Sequence, residues 1–431
     1  MTKTVMLTPL QQIFFGPPGT GKSDAIDRVV QNRSHIRTTF HPDSDYASFV
    51  GSYKPTMSSS DSVQCTNLSV EELAQKLKIY YNDNELGNVG GLQNFCYDYS
   101  TCFDDENLSV KQLLKLAGIS ENYAAEIKKY VKFCKILPKH VQSKIIYDFT
   151  PQAFLKAYCA AWRQMPEPYF LVIEEINRGN CAQIFGDIFQ LLDRNDKGYS
   201  KYEISADNDI QRFLRTNTSI GFGALSVEQK KKFPKESIWK GETLLLPPNL
   251  YIWATMNTSD QSLFPIDSAF KRRWEWKYIK ITDGYKKDEV GNYIKDEKGE
   301  KVKLNWIIAT NGQSWWKFIQ QINRIISNMT SSADKQLGYF FCKADDKGII
   351  STETFVSKVL FYLWNDVFRD YGFEDATLFT YKRNEDGKEV EDILTFPDFY
   401  DEEGNVIDDV VMQFISNVME WNADNRKNNN K

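Results

Sequence analysis

The 431-residue sequence predicts an α/β protein in which helices flank a parallel β-sheet, and three segments support this prediction. The first is a short apolar run that leads into a glycine-rich loop and then into a helical pattern. The second is a longer apolar run that ends in two glutamates, and the third ends in a polar tip. Apolar runs of this kind are typical of parallel strands buried on both faces, with ligand sites at their carboxyl ends.

The glycine-rich loop follows the apolar run 12–15 and precedes apolar residues at helical spacing, 25, 26, 29 and 30. Its residues are Gly16, Pro17, Pro18, Gly19, Thr20, Gly21, Lys22 and Ser23. A G-x-x-x-x-G-K-[ST] phosphate-binding loop requires a strand before it and a helix after it, and the sequence predicts both. Such a loop directs backbone N–H groups at phosphate oxygens, beside the positive end of the helix dipole. We expect Lys22 to reach the β- and γ-phosphates and the Ser23 hydroxyl to bind Mg²⁺.

The most continuous apolar run, residues 169–173, leads directly into Glu174 and Glu175. A phosphate loop needs a second strand that delivers carboxylates to the metal and to the attacking water. We therefore expect Glu174 to hold the Mg²⁺ and Glu175 to act as the general base. An ordinary solvated strand end would carry the same two acids, but the preceding phosphate loop favours the catalytic interpretation.

A third apolar run, 250–256, ends in a polar tip that extends from Asn257 to Asp260. We expect Asn257 to orient the attacking water or to contact the γ-phosphate. Farther along the chain, Arg272 and Arg273 form a basic pair. A guanidinium there is a candidate for stabilising transition-state charge at the nucleotide of a neighbouring subunit, although exposed arginines are usually only solvated.

Together these motifs resemble the AAA+ superfamily and, within it, the McrB-type motor subunits of modification-dependent restriction systems. The segments that carry the resemblance are GPPGTGKS at 16–23, residues 39–55, EEINRGN at 174–180, MNTSD at 256–260 with the following arginine pair, and a weaker match, QLGYF at 336–340. E-I-N-R-x-N and M-N-T-x-D are much more specific than the phosphate loop. The resemblance covers about residues 5–57, 150–195 and 245–365.

The resemblance implies a hexameric, Mg²⁺-dependent motor in which each nucleotide site is completed by the adjacent subunit. In the McrB branch the nucleotide is GTP, and a separate nuclease subunit, McrC, stimulates hydrolysis. The positions that match are the Walker A pair Lys22 and Ser23, the Walker B pair Glu174 and Glu175, the sensor 1 residue Asn257, the adjacent acid Asp260, and an arginine finger at Arg272 or Arg273. The motor would then act on DNA through its complex with the nuclease subunit.

Two features depart from the family pattern. Position 174 is Glu where the family usually has Asp, so the carboxylate lies one methylene farther from the backbone. The phosphate loop also begins 15 residues from the start of the sequence, so we expect no N-terminal DNA-binding domain. Because a phosphate loop contacts only phosphates, GTP is inferred from the resemblance alone and ATP stays possible.

The resemblance implies a three-layer αβα core with a parallel sheet. The long gap between the motifs indicates a helical insertion, and the helical pattern from residue 305 indicates a mainly helical C-terminal lid. The expected domains are an AAA+ core at 1–57 and 146–281, the insertion at 58–145, an exposed hairpin or linker at 282–304, and the lid at 305–431. Within the insertion, 110–117 and 121–131 predict two helices joined by a three-residue turn. Residues 111–144 contain eight lysines and two glutamates. Contact with DNA phosphates would fit this pattern, but a lysine-rich solvent face of a helical hairpin fits it better.

The composition is that of a soluble globular protein. The chain has 53 basic and 58 acidic residues and a net charge of −5, which excludes a uniformly basic nucleic-acid coat. No segment has the ~20 apolar residues needed to cross a bilayer, and the N-terminus lacks the apolar run of a signal peptide. The seven cysteines include no CxxC pair, so we expect reduced thiols in a cytoplasmic protein without membrane contact.

Two other classes of function stay open on the sequence. One is an ATP-dependent remodelling chaperone of the MoxR or dynein-related AAA branch, which would act on protein partners. The other is a nucleotide-gated scaffold with little turnover, for which the glutamate at position 174 is the sequence support. Nucleotide preference separates the restriction motor from the chaperone, and a turnover assay separates both from the scaffold.

Overall fold

The computed structural model describes residues 9–58, 69–82, 87–104, 108–136, 144–258, 264–288, 291–330, 332–369, 378–385 and 388–422. The chain divides into two compact units. Unit 1 comprises Met1–Ser52 and Pro151–Lys431, and unit 2 comprises Tyr53–Thr150. Unit 2 is therefore an insertion within the sequence of unit 1.

The secondary structure follows in chain order. The strands are β1 (Gln11–Gly16), β2 (Ser34–Thr39), β3 (Gly51–Ser58), β4 (Lys144–Pro151), β5 (Tyr169–Glu174), β6 (Ile204–Ser205), β7 (Thr243–Leu244), β8 (Leu250–Asn257), β9 (Glu275–Tyr278), β10 (Ile307–Ile308), β11 (Ile349–Ile350), β12 (Thr380–Glu385) and β13 (Lys388–Ile393). The α-helices are α1 (Lys22–Val30), α2 (Tyr46–Phe49), α3 (Val70–Tyr81), α4 (Gly87–Asp98), α5 (Val110–Ala117), α6 (Ala124–Ile136), α7 (Ala153–Gln164), α8 (Cys181–Phe185), α9 (Asn208–Thr216), α10 (Val227–Lys230), α11 (Glu236–Trp239), α12 (Ser268–Lys271), α13 (Trp315–Thr330), α14 (Thr352–Thr354) and α15 (Asp408–Glu420). Two π-helical segments, Phe355–Leu360 and Leu363–Phe368, continue from α14.

The central sheet of unit 1 has five parallel strands in the order β2-β5-β8-β1-β9. This confirms the predicted α/β class with a parallel sheet. The register pairs Gly16 with Asn257 and Thr39 with Glu174. The carboxyl ends of β5, β8 and β1 are thus adjacent, and the three predicted motif segments meet at one edge of the sheet.

Burial explains why these segments form the sheet. The apolar residues of β5 from Phe170 to Ile173 are fully buried, and β8 is buried from Leu250 to Ala254. One apolar cluster joins Ile26 and Val30 of α1 to side chains of β1, β5 and β8. Helix α7 packs against β2, β5 and β8. The strands are therefore held by helices that cover them, as a parallel sheet requires.

The C-terminal part of unit 1 has a hydrophobic cluster of its own, formed by residues of α13, the helical stretch that begins at α14, and α15. Trp315, Phe318 and Ile322 of α13 are fully buried in it, at the helical spacing seen in the sequence. Between β9 and this cluster, isolated antiparallel bridges join Tyr285 to Lys303 and Lys287 to Tyr293. Within the part of the chain that the structure describes, this segment is a bridged hairpin.

Unit 2 is mainly helical. Its core packs α3, α4, α5 and α6 around buried side chains that include Leu77, Phe95, Leu113 and Ile127. The predicted pair of helices is confirmed: α5 is followed by a turn with Gly118 in the left-handed region, and a 3₁₀ turn at Glu121–Tyr123 leads into α6. Strands β3 and β4 form a two-stranded sheet where the chain enters and leaves the insertion.

Among the cysteines that the structure describes, one differs from expectation. Cys102 is disulfide-bonded, whereas the sequence analysis expected reduced thiols throughout. That expectation depended on sequence spacing, which carries no information about cysteines that the fold brings together. The free cysteines include Cys96, Cys159 and Cys342, all buried. Across the described ranges, no helix combines the length and the hydropathy that a membrane span requires.

Candidate active site

The glycine-rich loop connects β1 to α1, as predicted, and its backbone is held in a form that only glycine adopts without strain. Gly19 has a φ of +75°, and a Cβ built there would lie 2.4 Å from the backbone nitrogen of Phe341. Both the conformation and the close approach exclude any side chain at this position. The loop therefore presents its backbone, rather than side chains, to whatever binds at the start of α1.

Lys22 is buried at the start of α1 although it carries a charge. Its Nζ donates hydrogen bonds to the carbonyl oxygens of Gly16 and Pro17, each at 3.0 Å. The Thr20 hydroxyl donates to the same Pro17 oxygen, also at 3.0 Å. These two carbonyl oxygens hold the ammonium group at the loop, where phosphate oxygens would be strong, charge-assisted partners.

Glu174 is surrounded by hydrogen-bond donors. Its Oε2 accepts from the Ser23 hydroxyl at 3.0 Å and from the Thr255 hydroxyl. Its Oε1 pairs with the Arg37 guanidinium, which also pairs with Asp27. The sequence-predicted residues Ser23 and Glu174 are therefore brought into direct contact. Arg37 lies in the neighbouring strand β2 and supplies a positive charge that the sequence analysis did not identify.

Glu175 and Asn257 are also brought together. Asn257 Nδ2 donates to Glu175 Oε1 at 2.6 Å, and the backbone N–H of Glu175 donates to Thr255 Oγ1 at 3.1 Å. Glu175 has a φ of +54°, in the left-handed region that non-glycine residues seldom occupy. Such strain persists only where surrounding contacts fix it, and it clusters at functional sites. Here it turns the second carboxylate toward the tip of β8.

Asn177 lies in the 3₁₀ turn Ile176–Arg178, next to the same edge of the sheet. Its side chain is buried, and its Nδ2 donates to the backbone oxygen of Asn257 at 2.7 Å. Its Oδ1 is buried without a hydrogen-bond partner. A buried acceptor without a donor is rare in folded proteins, and at a candidate site it marks a place where a water or a ligand group would bind.

The arginine pair lies at the other end of the sheet. Both residues precede β9, whose first residue, Glu275, is in register with Gln12 near the start of β1. They therefore lie toward the amino ends of the parallel strands, whereas the loop and the two glutamates lie at the carboxyl ends. Within one chain the structure does not bring Arg272 or Arg273 together with the other predicted residues.

The two arginines differ sharply from each other. The Arg273 side chain is only 7% exposed, and its Nε and Nη2 donate to Asp193 Oδ2 at 3.1 and 2.7 Å. Its guanidinium carbon lies 3.9 Å from the centroid of the Phe189 ring. Arg272 is exposed. Arg273 is thus held by contacts in its own chain, whereas Arg272 is exposed to solvent.

Asp260, the predicted acid beside Asn257, lies outside the described residues. Strand β8 ends at Asn257, and the contacts described around Glu175 involve residues other than Asp260. Its proposed role stays a prediction from the sequence.

The QLGYF segment, the weakest sequence match, contacts the phosphate loop backbone to backbone. The N–H of Gly338 donates to the Pro18 oxygen at 2.8 Å, and the N–H of Phe340 donates to the Gly19 oxygen at 2.9 Å. A Cβ on Gly338 would lie 2.2 Å from the carbonyl carbon of Gly19. This segment follows α13, so the C-terminal helical part of unit 1 is directly joined to the loop.

The bridged hairpin contacts α1 from another side. Lys287 and Arg28 both pair with Asp24, and the Tyr293 hydroxyl accepts from Arg28 at 3.1 Å. Burial raises the pKa of Asp24, but the hydrogen bonds and charges of Lys287 and Arg28 outweigh it, so this pKa lies below its usual range. Asp24 directly follows Ser23 in α1. Its ion pair with Lys287 therefore attaches the start of this helix to the bridged hairpin.

Three residues of the site were missed by the sequence analysis. Thr255 is a hydroxyl within an otherwise apolar strand, Arg37 is a charge within a strand, and Asn177 belongs to the E-I-N-R motif without an assigned role. Thr255 and Asn177 carry a signal, because a polar residue inside a buried element needs a partner, whereas Arg37 lies in the largely exposed strand β2 and carries none. The identity of that partner depends on strand order, which the sequence does not give.

Oxygen donors for a Mg²⁺ ion are present. Ser23 and Glu174 place a hydroxyl and a carboxylate in contact beside the phosphate loop, and Mg²⁺ prefers oxygen ligands of this type. Among the residues that the structure describes, no group of three His, Cys, Asp or Glu side chains could hold a metal ion. An ion at Ser23 and Glu174 would therefore complete its coordination with phosphate oxygens and water, as Mg²⁺ usually does.

Comparison with known proteins gives two relatives, while no family profile matches the chain. The component YdiS of the type II restriction enzyme BsuMI from Bacillus subtilis (strain 168) is 29% identical over 367 residues, which cover 84% of this chain and 80% of YdiS. The EcoKMcrB subunit of the type IV methyl-directed restriction enzyme from Escherichia coli (strain K12) is 23% identical over 224 residues, which cover 51% of this chain and 40% of that subunit. The resemblance inferred from the motifs is thereby confirmed, and this chain is a relative of restriction-system components that include an McrB subunit.

Proposed function

We propose that this protein is a Mg²⁺-dependent nucleoside triphosphatase that acts as the motor subunit of a restriction complex of the McrBC type. One observation carries the proposal. The phosphate loop, two consecutive glutamates and an asparagine that contacts the second glutamate meet at the carboxyl edge of adjacent parallel strands. Binding of phosphates, carboxylate ligation of Mg²⁺ and activation of a water all require groups at that edge.

Each residue would act through the geometry described above. The loop N–H groups and Lys22 would bind the triphosphate, since the buried ammonium already lies at the loop. Ser23 and Glu174 would hold the Mg²⁺, which neutralises charge on the phosphates when it is bound. Glu175 would accept the proton of the attacking water, and Asn257 would orient this carboxylate through its hydrogen bond.

We infer that the arginine finger is Arg272 and that it acts on a neighbouring subunit. Arg272 is exposed at the end of the sheet opposite the phosphate loop, so it cannot serve the site of its own chain. A ring of subunits would place it at the next nucleotide, where a guanidinium stabilises transition-state charge. The proposal therefore includes self-association, with a hexamer as the expected form, and a McrC-like nuclease as the partner that gives access to DNA.

The proposed nucleotide is GTP, on the strength of the McrB resemblance. The groups that contact the base are not identified by the phosphate loop, so ATP is the alternative to be tested. Glu174 supplies a second reason for a direct assay. Because Arg37 and two hydroxyls already contact this carboxylate, metal binding requires that some of these contacts be exchanged.

The test is steady-state phosphate release from the purified protein with GTP and with ATP at matched Mg²⁺, with Glu175→Gln as the inactive control. We expect turnover with GTP that depends on Mg²⁺ and is lost in the control. Preference for ATP would contradict the McrB-type assignment and favour the remodelling class. Binding of both nucleotides without release, also after addition of a McrC-like nuclease, would contradict the motor and favour the nucleotide-gated scaffold.

A further inference from the structure

Two aromatic side chains lie beside the phosphate loop and are exposed to solvent, although the chemistry described above does not use them. Phe340 is 41% exposed, and Tyr278 is 49% exposed. Tyr339, the direct neighbour of Phe340, is only 1% exposed, so one segment buries one ring and leaves the next ring open. Single exposed apolar side chains are common on protein surfaces, so the surroundings of these rings decide whether they have a role.

Strand order determines the side of the phosphate loop on which Tyr278 lies. Strand β1, which ends in the loop, lies between β8 and β9 in the sheet. Gly16 is in register with Asn257 of β8 on one side, and Phe15 is in register with Tyr278 of β9 on the other. The groups proposed to activate water therefore lie on the β8 side of the loop, and Tyr278 lies on the opposite side.

Phe340 lies next to the part of the loop that leads into α1. Its backbone N–H donates to the Gly19 oxygen at 2.9 Å, and its Cδ2 lies 3.9 Å from the position that a Cβ on Gly21 would take. The ring makes edge-to-face contacts with Trp306 and Tyr339, at centroid distances of 6.0 and 5.3 Å. A ring that is held in this way needs little further ordering when a flat ligand stacks on it.

The direction of a triphosphate on the loop follows from the groups around it. Glu175 and Asn257 have to face the γ-phosphate, where water attacks, while backbone N–H groups of the loop hold the α- and β-phosphates. The sugar and the base are attached to the α-phosphate, so they leave the loop on the side away from Glu175. Tyr278 marks that side, and Phe340 is the exposed ring closest to the start of α1.

The charges at the start of α1 also suit a triphosphate. Asp24 would repel phosphates, but its carboxylate pairs with both Lys287 and Arg28. Two cations therefore outweigh one anion in this cluster. The electrostatic cost of bringing a nucleotide past this point of the helix is removed, and the exposed Phe340 ring stays accessible to the base.

We propose that the Phe340 ring stacks on the base of the nucleotide bound at the phosphate loop. This inference rests on the proposed function, because it needs a nucleoside triphosphate at that site. Every base has a flat face, so stacking on an aromatic ring tolerates any base. Phe340 therefore contributes to the affinity for nucleotides without selecting guanine over adenine, and that choice depends on hydrogen bonds to the edge of the base.

The test is isothermal titration calorimetry of the full chain with three ligands at matched Mg²⁺: the β,γ-imido analogues of GTP and ATP, and inorganic triphosphate, which has no base. Phe340→Leu keeps an apolar side chain beside Trp306 but removes the flat face. We expect it to weaken binding of both analogues by about 5- to 100-fold, the effect of losing one stacked base, and to leave triphosphate binding unchanged. Phe340→Tyr keeps the ring and should bind all three ligands as wild type does.

Phe361→Leu is the matched control. Phe361 is 47% exposed and lies between the two π-helical segments, so its replacement should leave binding of all three ligands unchanged. Tyr278→Leu should weaken binding of the analogues less than Phe340→Leu, because Tyr278 lies beside the first residue of the loop. Circular dichroism confirms that each variant is folded. Unchanged binding of the analogues by Phe340→Leu, an equal loss of triphosphate binding, an equal loss in Phe361→Leu, or a larger loss in Tyr278→Leu would overturn the proposal.

Lys22→Ala separates this outcome from that of the proposed function. The variant should lose all three ligands, because it removes the charge that binds the phosphates. If Lys22→Ala loses them while Phe340→Leu binds the analogues as tightly as wild type, the phosphate site is supported and the stacking role of Phe340 is excluded. If the wild-type protein binds none of the three ligands, both proposals are wrong.

Discussion

The Asn257 side chain donates a hydrogen bond of 2.6 Å to the carboxylate of Glu175, which links the ends of two neighbouring parallel strands. Asn257 is the last residue of β8, and Glu175 directly follows the last residue of β5. The strained backbone of Glu175 is stabilised by this bond and by the contact of its N–H with Thr255. Strand order thus brings together the proposed general base and the side chain proposed to orient it.

Replacement of Glu175 by glutamine tests the general base. The amide keeps the size of the side chain and can still contact Asn257, but it cannot accept a proton from water. We expect nucleotide binding to be retained and kcat to fall by about 100-fold or more, the usual contribution of a general base. Phosphate release gives kcat, and size-exclusion chromatography with GTP should find a trapped oligomer. Hydrolysis at the wild-type rate would assign the base to another residue.

Lys22→Ala should abolish nucleotide binding rather than slow the chemical step. The Lys22 ammonium lies at the loop carbonyls, where it would provide the main positive charge for the phosphates. We expect the affinity for a fluorescent GTP analogue to fall by about 100-fold or more. Lys317→Ala, at an exposed lysine of α13, is the matched control and should bind normally. If both variants bind equally well, the phosphates occupy another site.

We expect Arg273 to have a structural role and the adjacent Arg272 to have a catalytic role. Arg273→Ala removes a largely buried ion pair with Asp193 and should lower the free energy of unfolding by about 1–3 kcal/mol. Arg272→Ala removes an exposed side chain and should change this free energy by less than about 0.5 kcal/mol. Chemical denaturation followed by tryptophan fluorescence measures both changes.

The same two variants also test action between subunits. Arg272→Ala should lower GTP hydrolysis by about 100-fold or more while leaving the fold intact. Mixing it with Glu175→Gln should restore part of the activity, because some interfaces then combine an intact Arg272 with an intact Glu175. Absence of any rescue would exclude the intersubunit arginine. Equal loss of stability in both variants would contradict the division of roles.

The sequence predicted those residues of the site that can be recognised from one strand and the motif that follows it. The phosphate loop, the paired glutamates and Asn257 were identified because each follows a recognisable apolar run, and parallel strands collect such residues at one edge. The contacts of Arg37 and Thr255 with Glu174 were not predictable, since they depend on β2 and β8 flanking β5. The sequence could not distinguish the two arginines. Arg273 differs from Arg272 by its ion pair with Asp193, which is about 80 residues away in the chain.

The backbone contact of Gly338 with the phosphate loop gives the last prediction. Gly338→Ala would place a methyl group 2.2 Å from the backbone of Gly19, and backbone atoms cannot move aside as a flexible side chain can. The hydrogen bonds that Pro18 and Gly19 accept from this segment would then be lost or stretched. We expect unfolding to become easier by about 1–3 kcal/mol, a usual cost of overpacking, and GTP affinity to fall by about 10-fold or more because the loop is less fixed. Thermal denaturation and binding of a fluorescent GTP analogue measure the two effects.

Gly404→Ala is the matched control for this variant. Gly404 has a positive φ of +85° and open space around the position of a Cβ, so alanine there meets backbone strain without a clash. That strain costs about 1–2 kcal/mol, similar to the stability loss expected for Gly338→Ala, but Gly404 does not touch the loop. The two variants should therefore have comparable thermal stability and different affinities for GTP. If Gly338→Ala binds GTP as tightly as Gly404→Ala does, the segment contributes to folding alone and does not hold the phosphate loop in its binding form.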